Sequence, residues 1–389
     1  MRSLQGIGIQ VAAIACFSCS SRPEPRVPEG YPPSYAEQIE AANKEGELDI
    51  LSATDQRKAT GLIAEFRRRF PGIKLHFVEQ SAREVYYKVT RDSASGRGAA
   101  DLVWSAAMDL QMKLVNDGLT QRYVSPERRP HYPRWSNWKN QAWAVTAEPV
   151  VFIYDRQLIP DSEVPQDHVQ LRTFLERHPA PSRLRIATYS IPDSAVGYLY
   201  LSQDQQVSRN FWPLVRAFGE NGALYYPSAE KVGDAVESGR AAIGYDIIGS
   251  YALDVVRRNP RIGMVLPRDY SLTMSRIVVI PAAARHPHAA RLFLDLMLSR
   301  QGQANLAAEG MPPIRDDVPD PKGLDLRRAP LRAIRVGPGL LVTQDKLTRE
   351  HFMRKWLAAL RVGESARNQK LNEAGNAARA PDRIVTGAR

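Results

Sequence analysis

The sequence predicts a two-domain α/β protein, and three observations carry that prediction. A chain of 389 residues is long enough for two or three domains of roughly 150 residues each. Apolar residues make up 43% and charged residues 24%, ordinary globular usage that excludes disordered and collagen-like arrays. Short apolar strands alternate with helical patterns along the body, which favours largely parallel sheets. No run of about 18 apolar residues offers a bilayer-spanning helix. The formal charge of +11 permits contact with nucleic acid or an anionic surface without requiring it.

From the amino terminus, Arg2 is the one charged side chain in residues 1–20, and the apolar run Ile7–Ala15 follows it. The run is too short to span a bilayer but suits a secretory signal, with Ala13-Ile14-Ala15 as its cleavage pattern. Cys16 directly after it resembles a bacterial lipoprotein box, so export is expected either with lipidation at Cys16 or as a plain cleaved form. Cys16 and Cys19 are the only cysteines. The mature body therefore has no thiol for an internal disulfide, a cysteine zinc site or a nucleophile. Residues 21–45 read as a proline-rich tether and a short helix from Tyr35.

A strand is expected over Leu48–Leu51. Ala59, Leu62, Ile63, Phe66 and Phe70 then recur at helical spacing until Pro71-Gly72 stops them. Ile73, Leu75 and Phe77 alternate as in a half-buried strand, and Ser81-Ala82-Arg83-Glu84 reads as a capping box. Strand Asp101–Trp104 leads to helix Met108–Val115, closed by Gly118. The same construction returns at Ala241–Asp246 followed by Ser250–Arg257. Residues 119–148 are irregular and rich in proline and tryptophan, which suits packing more than ligand stacking. Residues 361–389 are polar and alanine-rich, and a frayed helix with a disordered tail is expected there.

Catalytic patterns are missing. No G-x-S-x-G elbow, G-x-x-x-x-G-K-[ST] loop or H-E-x-x-H helix occurs. His286-Pro287-His288 suits a surface loop, and Asp316-Asp317 a solvated one. What remains is small polar residues at strand ends: Ser52 and Thr54 after the first strand, Ser105 after Leu102–Trp104, and Ser250 after Asp246. In open α/β sheets, ligands collect outside the carboxyl ends of strands. Helix N-termini there attract anions, although the same serines are suited simply to cap helices.

These segments, in order, resemble the extracellular solute-binding proteins of bacterial ABC importers, in the group of ferric-iron, phosphonate and sugar-phosphate binders. The stretches are Leu48–Asp55, Ala100–Gly118, Thr146–Tyr154, Ile243–Ala252, Met274–Ile280 and His286–Gly302 with Met311-Pro312-Pro313. They cover residues 46–360 approximately. The resemblance implies a two-lobe periplasmic-binding-protein architecture of type II, each lobe a mostly parallel sheet flanked by helices, with a ligand cleft between them and closure about a hinge. Crossings are expected near Thr146–Pro149 and Gly263–Pro267. Lobe one would then be residues 46–147 plus 265–360, and lobe two residues 148–264.

The chain departs from the ferric-iron pattern. Thr54-Asp55-Gln56 stands where those members place a histidine, Ala106 where they place a glutamate, and Ile248-Gly249-Ser250-Tyr251 where they place adjacent tyrosines. Ferric iron favours hard anionic oxygens, which Asp55, Tyr245, Asp246 and Tyr251 offer only as an improvised set. A small anionic solute is the leading expectation, held by Ser52, Thr54, Asp55, Ser105 and Ala106 from one side. Ser194, Gly197, Tyr245, Asp246, Ser250 and Tyr251 face it from the other, with Arg276. Ser194 and Gly197 enter through likeness to the family's Tyr-x-x-x-x-Ser-x-x-Gly stretch.

The expected protein is thus a monomeric, periplasmic or exported, non-enzymatic binder without cofactor. It would partner the permease and ATPase of an importer or, in the sensory alternative, a two-component kinase. An exported hydrolase is disfavoured by the missing nucleophile and base. Nucleic-acid binding is disfavoured by export and the lack of a basic-aromatic strip. Intact-mass measurement of exported protein is expected to find residues 1–15 removed, and a diacylglycerol mass on Cys16 would identify the lipoprotein. Retention of residues 1–15 would refute the export signal.

Overall fold

The computed structural model describes residues 27–379 except 97, 99, 129, 130, 327 and 328. The expected signal, Cys16 and the start of the expected tether lie outside the described residues. The chain begins with α1 (Tyr35–Glu45), β1 (Glu47–Ser52), α2 (Thr60–Arg69), β2 (Lys74–Glu79) and α3 (Ala82–Ala94). It continues through β3 (Leu102–Ser105), α4 (Met108–Asn116), β4 (Asn137–Trp138) and β5 (Ala142–Ala144). A second body follows with β6 (Glu148–Asp155), α5 (His168–Arg177), β7 (Ile186–Tyr189), α6 (Ala195–Val207), α7 (Phe211–Asn221) and β8 (Leu224–Tyr226). It is completed by α8 (Ala229–Glu237), β9 (Ile243–Ile248), α9 (Gly249–Arg258), β10 (Ile262–Val265) and β11 (Ser271–Met274). The chain then returns through β12 (Ile277–Val279), α10 (Pro287–Leu298) and α11 (Arg300–Ala308), and closes with β13 (Leu331–Ala333) and α12 (Lys346–Arg379).

One sheet runs β2-β1-β3-β12-β5-β4, and the other β13-β11-β6-β9-β7-β8 with β10 also paired to β6. The triads β2-β1-β3 and β8-β7-β9 are parallel. The long strand β6 and the returning β12 add antiparallel partners, so each sheet is mixed. Leu48, Leu102 and Trp104 pack against Phe66 and Phe293 in the first lobe's core. Phe152, Leu171, Phe218 and Tyr245 fill the second. A further cluster draws residues from both lobes, including Leu51, Val103 and Met108 with Tyr189, Ile248 and Met274.

The first crossing falls between β5 and β6, over residues 145–147. The second does not lie at Gly263–Pro267. Strand β11 still pairs with β6, and the chain returns to the first sheet at Ser275-Arg276, between β11 and β12, before crossing once more ahead of β13. Residues 265–274 therefore belong to lobe two. Residues 331–333 do as well, because β13 pairs with β11. Alternation along residues 262–279 marks strands but carries no mark of which sheet each strand joins.

Of the carboxyl-terminal segment expected as a frayed helix and a disordered tail, residues 361–379 are helical, and residues 380–389 lie outside the described residues. Helix α12 is continuous to Arg379 and lies along α7, with Phe352 and Trp356 buried in the second core. Two glycines allow the close approach. A Cβ at Gly219 would overlap the Leu360 carbonyl, and one at Gly363 the Arg216 carbonyl. Overpacking a tight contact costs typically 1–3 kcal/mol, so Gly363→Leu is expected to lower the urea midpoint by about that amount. An unchanged midpoint would mean that the two helices do not pack there.

In lobe one, the Asp295 carboxylate on α10 accepts hydrogen bonds from Tyr35 at 2.7 Å and Tyr123 at 2.5 Å. Burial pushes its pKa up to about 7, opposed by the hydrogen bonds from Ser125, Tyr123 and Tyr35. The native state thus holds a proton that the unfolded chain has released above about pH 4. Its contribution is complete below that pH and is lost as pH rises through about 7. The melting temperature is expected to fall between pH 5 and 8, and Asp295→Asn to flatten that slope. An equal slope in the variant would assign it elsewhere.

Candidate functional site

Three helices of at least nine residues start at the gap between the lobes, each behind an extended serine. The Ser81 hydroxyl accepts from the Glu84 N–H in a full capping box. Ser194 accepts from the Gly197 N–H at 3.1 Å, and Ser228 from the Lys231 N–H at 3.3 Å. Each cap satisfies one of the four N–H groups that a helix leaves unpaired at its start. The first two in each helix, on Ala82 and Arg83, Ala195 and Val196, and Ala229 and Glu230, have no acceptor among the described residues. All six residues, with their three caps, line one cavity of about 380 Å³.

Ala53, Asp55, Gln80 and Ala106 complete the lobe-one wall, and Ile248 and Tyr251 the lobe-two wall, with Arg276 at the crossing. Glu79, Asp193 and Glu230 are exposed at the rim. Across the mouth, Arg83 Nη1 donates to the Pro192 carbonyl at 2.7 Å.

Behind this wall lies a buried ion pair. The side chains of Arg276 and Glu148 are both fully buried, with Nε to Oε1 at 2.8 Å. Arg276 Nη1 donates to Thr54 Oγ1 at 2.8 Å, and the Arg276 N–H donates to Thr146 Oγ1 at 2.9 Å. Thr146 Oγ1 in turn donates to Glu148 at 3.0 Å, and the Ser250 hydroxyl donates to the second carboxylate oxygen. Burial alone would lower the guanidinium pKa, but the Glu148 charge holds it above its ordinary value. Two strand ends, one loop and one helix start from both lobes thus meet on a single arginine.

Of the residues singled out in sequence, Asp55, Ala106, Ser194, Tyr251 and Arg276 border the cavity. Ser52, Thr54, Ser105, Gly197, Tyr245, Asp246 and Ser250 do not. Ser52 Oγ accepts from the Thr54 N–H at 2.9 Å, and Ser105 Oγ from the Ala107 N–H at 3.1 Å, so both shape their own turns. Gly197 sits under the Tyr189 ring. Tyr245 donates to Asp204 at 2.6 Å in the lobe-two core. Asp246 has φ +63°, which turns its side chain inward beside Asp204. Burial raises its carboxyl pKa well above the ordinary range. Thr54 and Ser250 serve the ion pair. Sequence reasoning missed Gln80, Arg83, Ser228 and Glu148. The serine-led starts at Ser81 and Ser228 were the available signal for the first three, and nothing local distinguishes Glu148.

Tyr251 lies under both cations. The Lys58 ammonium is 5.8 Å and the Arg276 guanidinium 5.4 Å from its ring centroid. Burial, opposed by Arg276, pushes its pKa up to about 12. Two groups of metal-ligand type occur among the described residues, Asp49-Asp101-His286 and His131-Asp316-Asp317. Neither lines the cleft. Both are tied up in ion pairs, with Arg285 on Asp49 at 2.7 Å and Arg315 on Asp317 at 2.7 Å.

A family model described as bacterial extracellular solute-binding protein matches residues 61–327. The substrate-binding protein of an ABC transporter from Agrobacterium tumefaciens is 35% identical, with TM-score 0.74, covering 81% of this chain and 94% of that one. AfuA from Actinobacillus pleuropneumoniae, a periplasmic binding protein with fructose-6-phosphate bound, is 18% identical with TM-score 0.67 over 81% and 99% of the two chains. Iron-bound HitA from Pseudomonas aeruginosa is 15% identical with TM-score 0.65 over 82% and 99%. The last two likenesses show the fold alone. Comparison with curated proteins finds no match.

Removing one member of a buried ion pair strands the other charge, at a cost of about 3–5 kcal/mol. Glu148→Gln is therefore expected to destabilise the protein by that amount in urea unfolding, and Glu148→Met with Arg276→Met together by much less. A Glu148→Gln variant as stable as the parent would refute the arrangement.

Proposed function

The chain belongs to the bacterial extracellular solute-binding proteins, the substrate-capturing components of ABC importers, and on that premise we propose that its cleft takes a small anionic solute and releases it unchanged to the permease and ATPase. The observation that carries this reading is the convergence of three helix starts on one cavity, with six N–H groups that no acceptor among the described residues takes. A phosphate, phosphonate or carboxylate oxygen supplies those acceptors and meets three positive dipole ends at once. The Arg276 guanidinium at the crossing adds a charge of the same sign.

The same features weigh against ferric iron. Ferric ligation needs Tyr251 as a phenolate, yet burial pushes that phenol up to about 12, and a guanidinium lies 5.4 Å from its ring. Among the described carboxylates that line the cavity, Asp55 is the one that is half-buried. Ferric citrate is expected to give no visible charge-transfer band, and a band abolished by Tyr251→Phe would favour iron.

Proline at the first position of a helix is tolerated because the N–H it lacks has no helical partner. The caps before these positions have ψ of 115° at Ser194 and 160° at Ser228, the extended geometry that a following proline requires. Ala195→Pro and Ala229→Pro thus delete one N–H each while keeping the helix. A hydrogen bond to a charged group contributes about 1.5–3 kcal/mol, so each variant is expected to weaken anion binding roughly 10- to 150-fold. A thermal-shift screen of phosphates, phosphonates, carboxylates and neutral sugars identifies the solute, because saturation at 100 times Kd stabilises the protein by about 2.7 kcal/mol. Shifts from neutral sugars alone, or unchanged anion affinity in both variants, would overturn the reading.

A further inference from the structure

Lys58 stands apart from the other lysines. It follows β1 in lobe one, its side chain is only 6% exposed, and its ammonium reaches helix α9 of lobe two beside the cavity-lining Tyr251. There it meets Asp254 at 2.6 Å and the Ser250 carbonyl at 3.2 Å, both on α9 of lobe two. Its remaining partner is the Glu309 carbonyl at 2.9 Å, at the end of α11 in lobe one. The same ammonium lies 5.8 Å from the Tyr251 ring centroid, and Tyr251 lines the cavity.

We propose that Lys58 is the closure latch of this protein: its ammonium bonds to α9 only when the lobes are together, and in doing so it holds Tyr251 against the cavity wall. Parting the lobes removes the Asp254 carboxylate, the Ser250 carbonyl and the Tyr251 ring at one stroke and leaves Glu309 alone. The latch therefore biases the hinge equilibrium toward the closed form, since an interaction made in one state and lost in the other shifts the balance by its own free energy. Asp254 is 34% exposed on its side chain, so water reaches the pair from one side and the latch opens without stranding a charge in the core. Lys58 is a positioning residue. It acts on the cleft through α9 and Tyr251.

The latch deepens the solute-binding reading, but its test needs no solute and fails separately from that reading. Small-angle X-ray scattering is measured on the full chain freed of bound solute by unfolding, dialysis and refolding. Lys58→Gln and Asp254→Asn are each expected to increase the radius of gyration over the parent, and the exchanged pair Lys58→Asp with Asp254→Lys to bring it back toward the parental value. Circular dichroism confirms that each variant folds. Folded single variants as compact as the parent, or an exchanged pair as expanded as the single variants, would overturn the proposal.

Discussion

The fully buried pairing of Arg276 with Glu148 is the constraint around which the two lobes are arranged. Glu148 opens β6, the first strand of lobe two, and Arg276 sits where the chain returns to lobe one. Removing both charges from water is expensive, and only close geometry with every remaining donor occupied offsets that cost. Thr54, Thr146 and Ser250 supply the further partners. They come from the end of β1, the first crossing and the start of α9. The pair thus binds the hinge strands to the two loops that shape the cleft, and the relative position of the lobes follows from a few polar atoms.

Cleft chemistry follows from how α/β units end. Each parallel strand hands over to a helix at the same edge of its sheet, so facing two such edges brings several helix starts together. Serine caps satisfy the third N–H of each helix and leave the first two, on residues that line the cavity, without an acceptor among the described residues. The exposed carboxylates of Glu79, Asp193 and Glu230 lie beside these positive ends, where negative charge is favourable. They are the local counter-charge that the proposed anion would have to outcompete. Affinity for such an anion would then depend on how well its oxygens match the fixed N–H positions, because the charge of these carboxylates works against it.

Elsewhere, ionisable groups serve packing. Asp295, Asp204 and Asp246 are carboxyls in apolar cores, and burial raises each above its ordinary pKa. Tyrosine hydroxyls hold the first two. Helix α12 extends the second core by laying Phe352 and Trp356 over α7. The formal excess of positive charge has no counterpart in the cavity lining, where the carboxylates outnumber the cations.

Much of this was legible in the chain, for local reasons. Period-two and period-3.6 patterns marked the strands and helices through β3 and α4, and Ser81-Ala82-Arg83-Glu84 announced the capping box that the structure contains. The order of strand-end segments carried the family, because each depends on neighbours only a few residues away. What stayed hidden is what depends on distance in sequence. Ser52, Ser105 and Ser250 look alike as serines after strands, yet each hydroxyl is consumed within the fold. Arg276 was named as a solute contact, while its main partner Glu148, 128 residues away, went unseen. The second crossing moved from Gly263–Pro267 to Ser275-Arg276 because strand periodicity is the same in either sheet. The sequence by itself determined the elements and their kind, since backbone preference and amphipathic period are local. Only the tertiary structure decided which polar groups pair with each other and which are left facing the cleft, because that is settled by the competition of every buried donor for an acceptor.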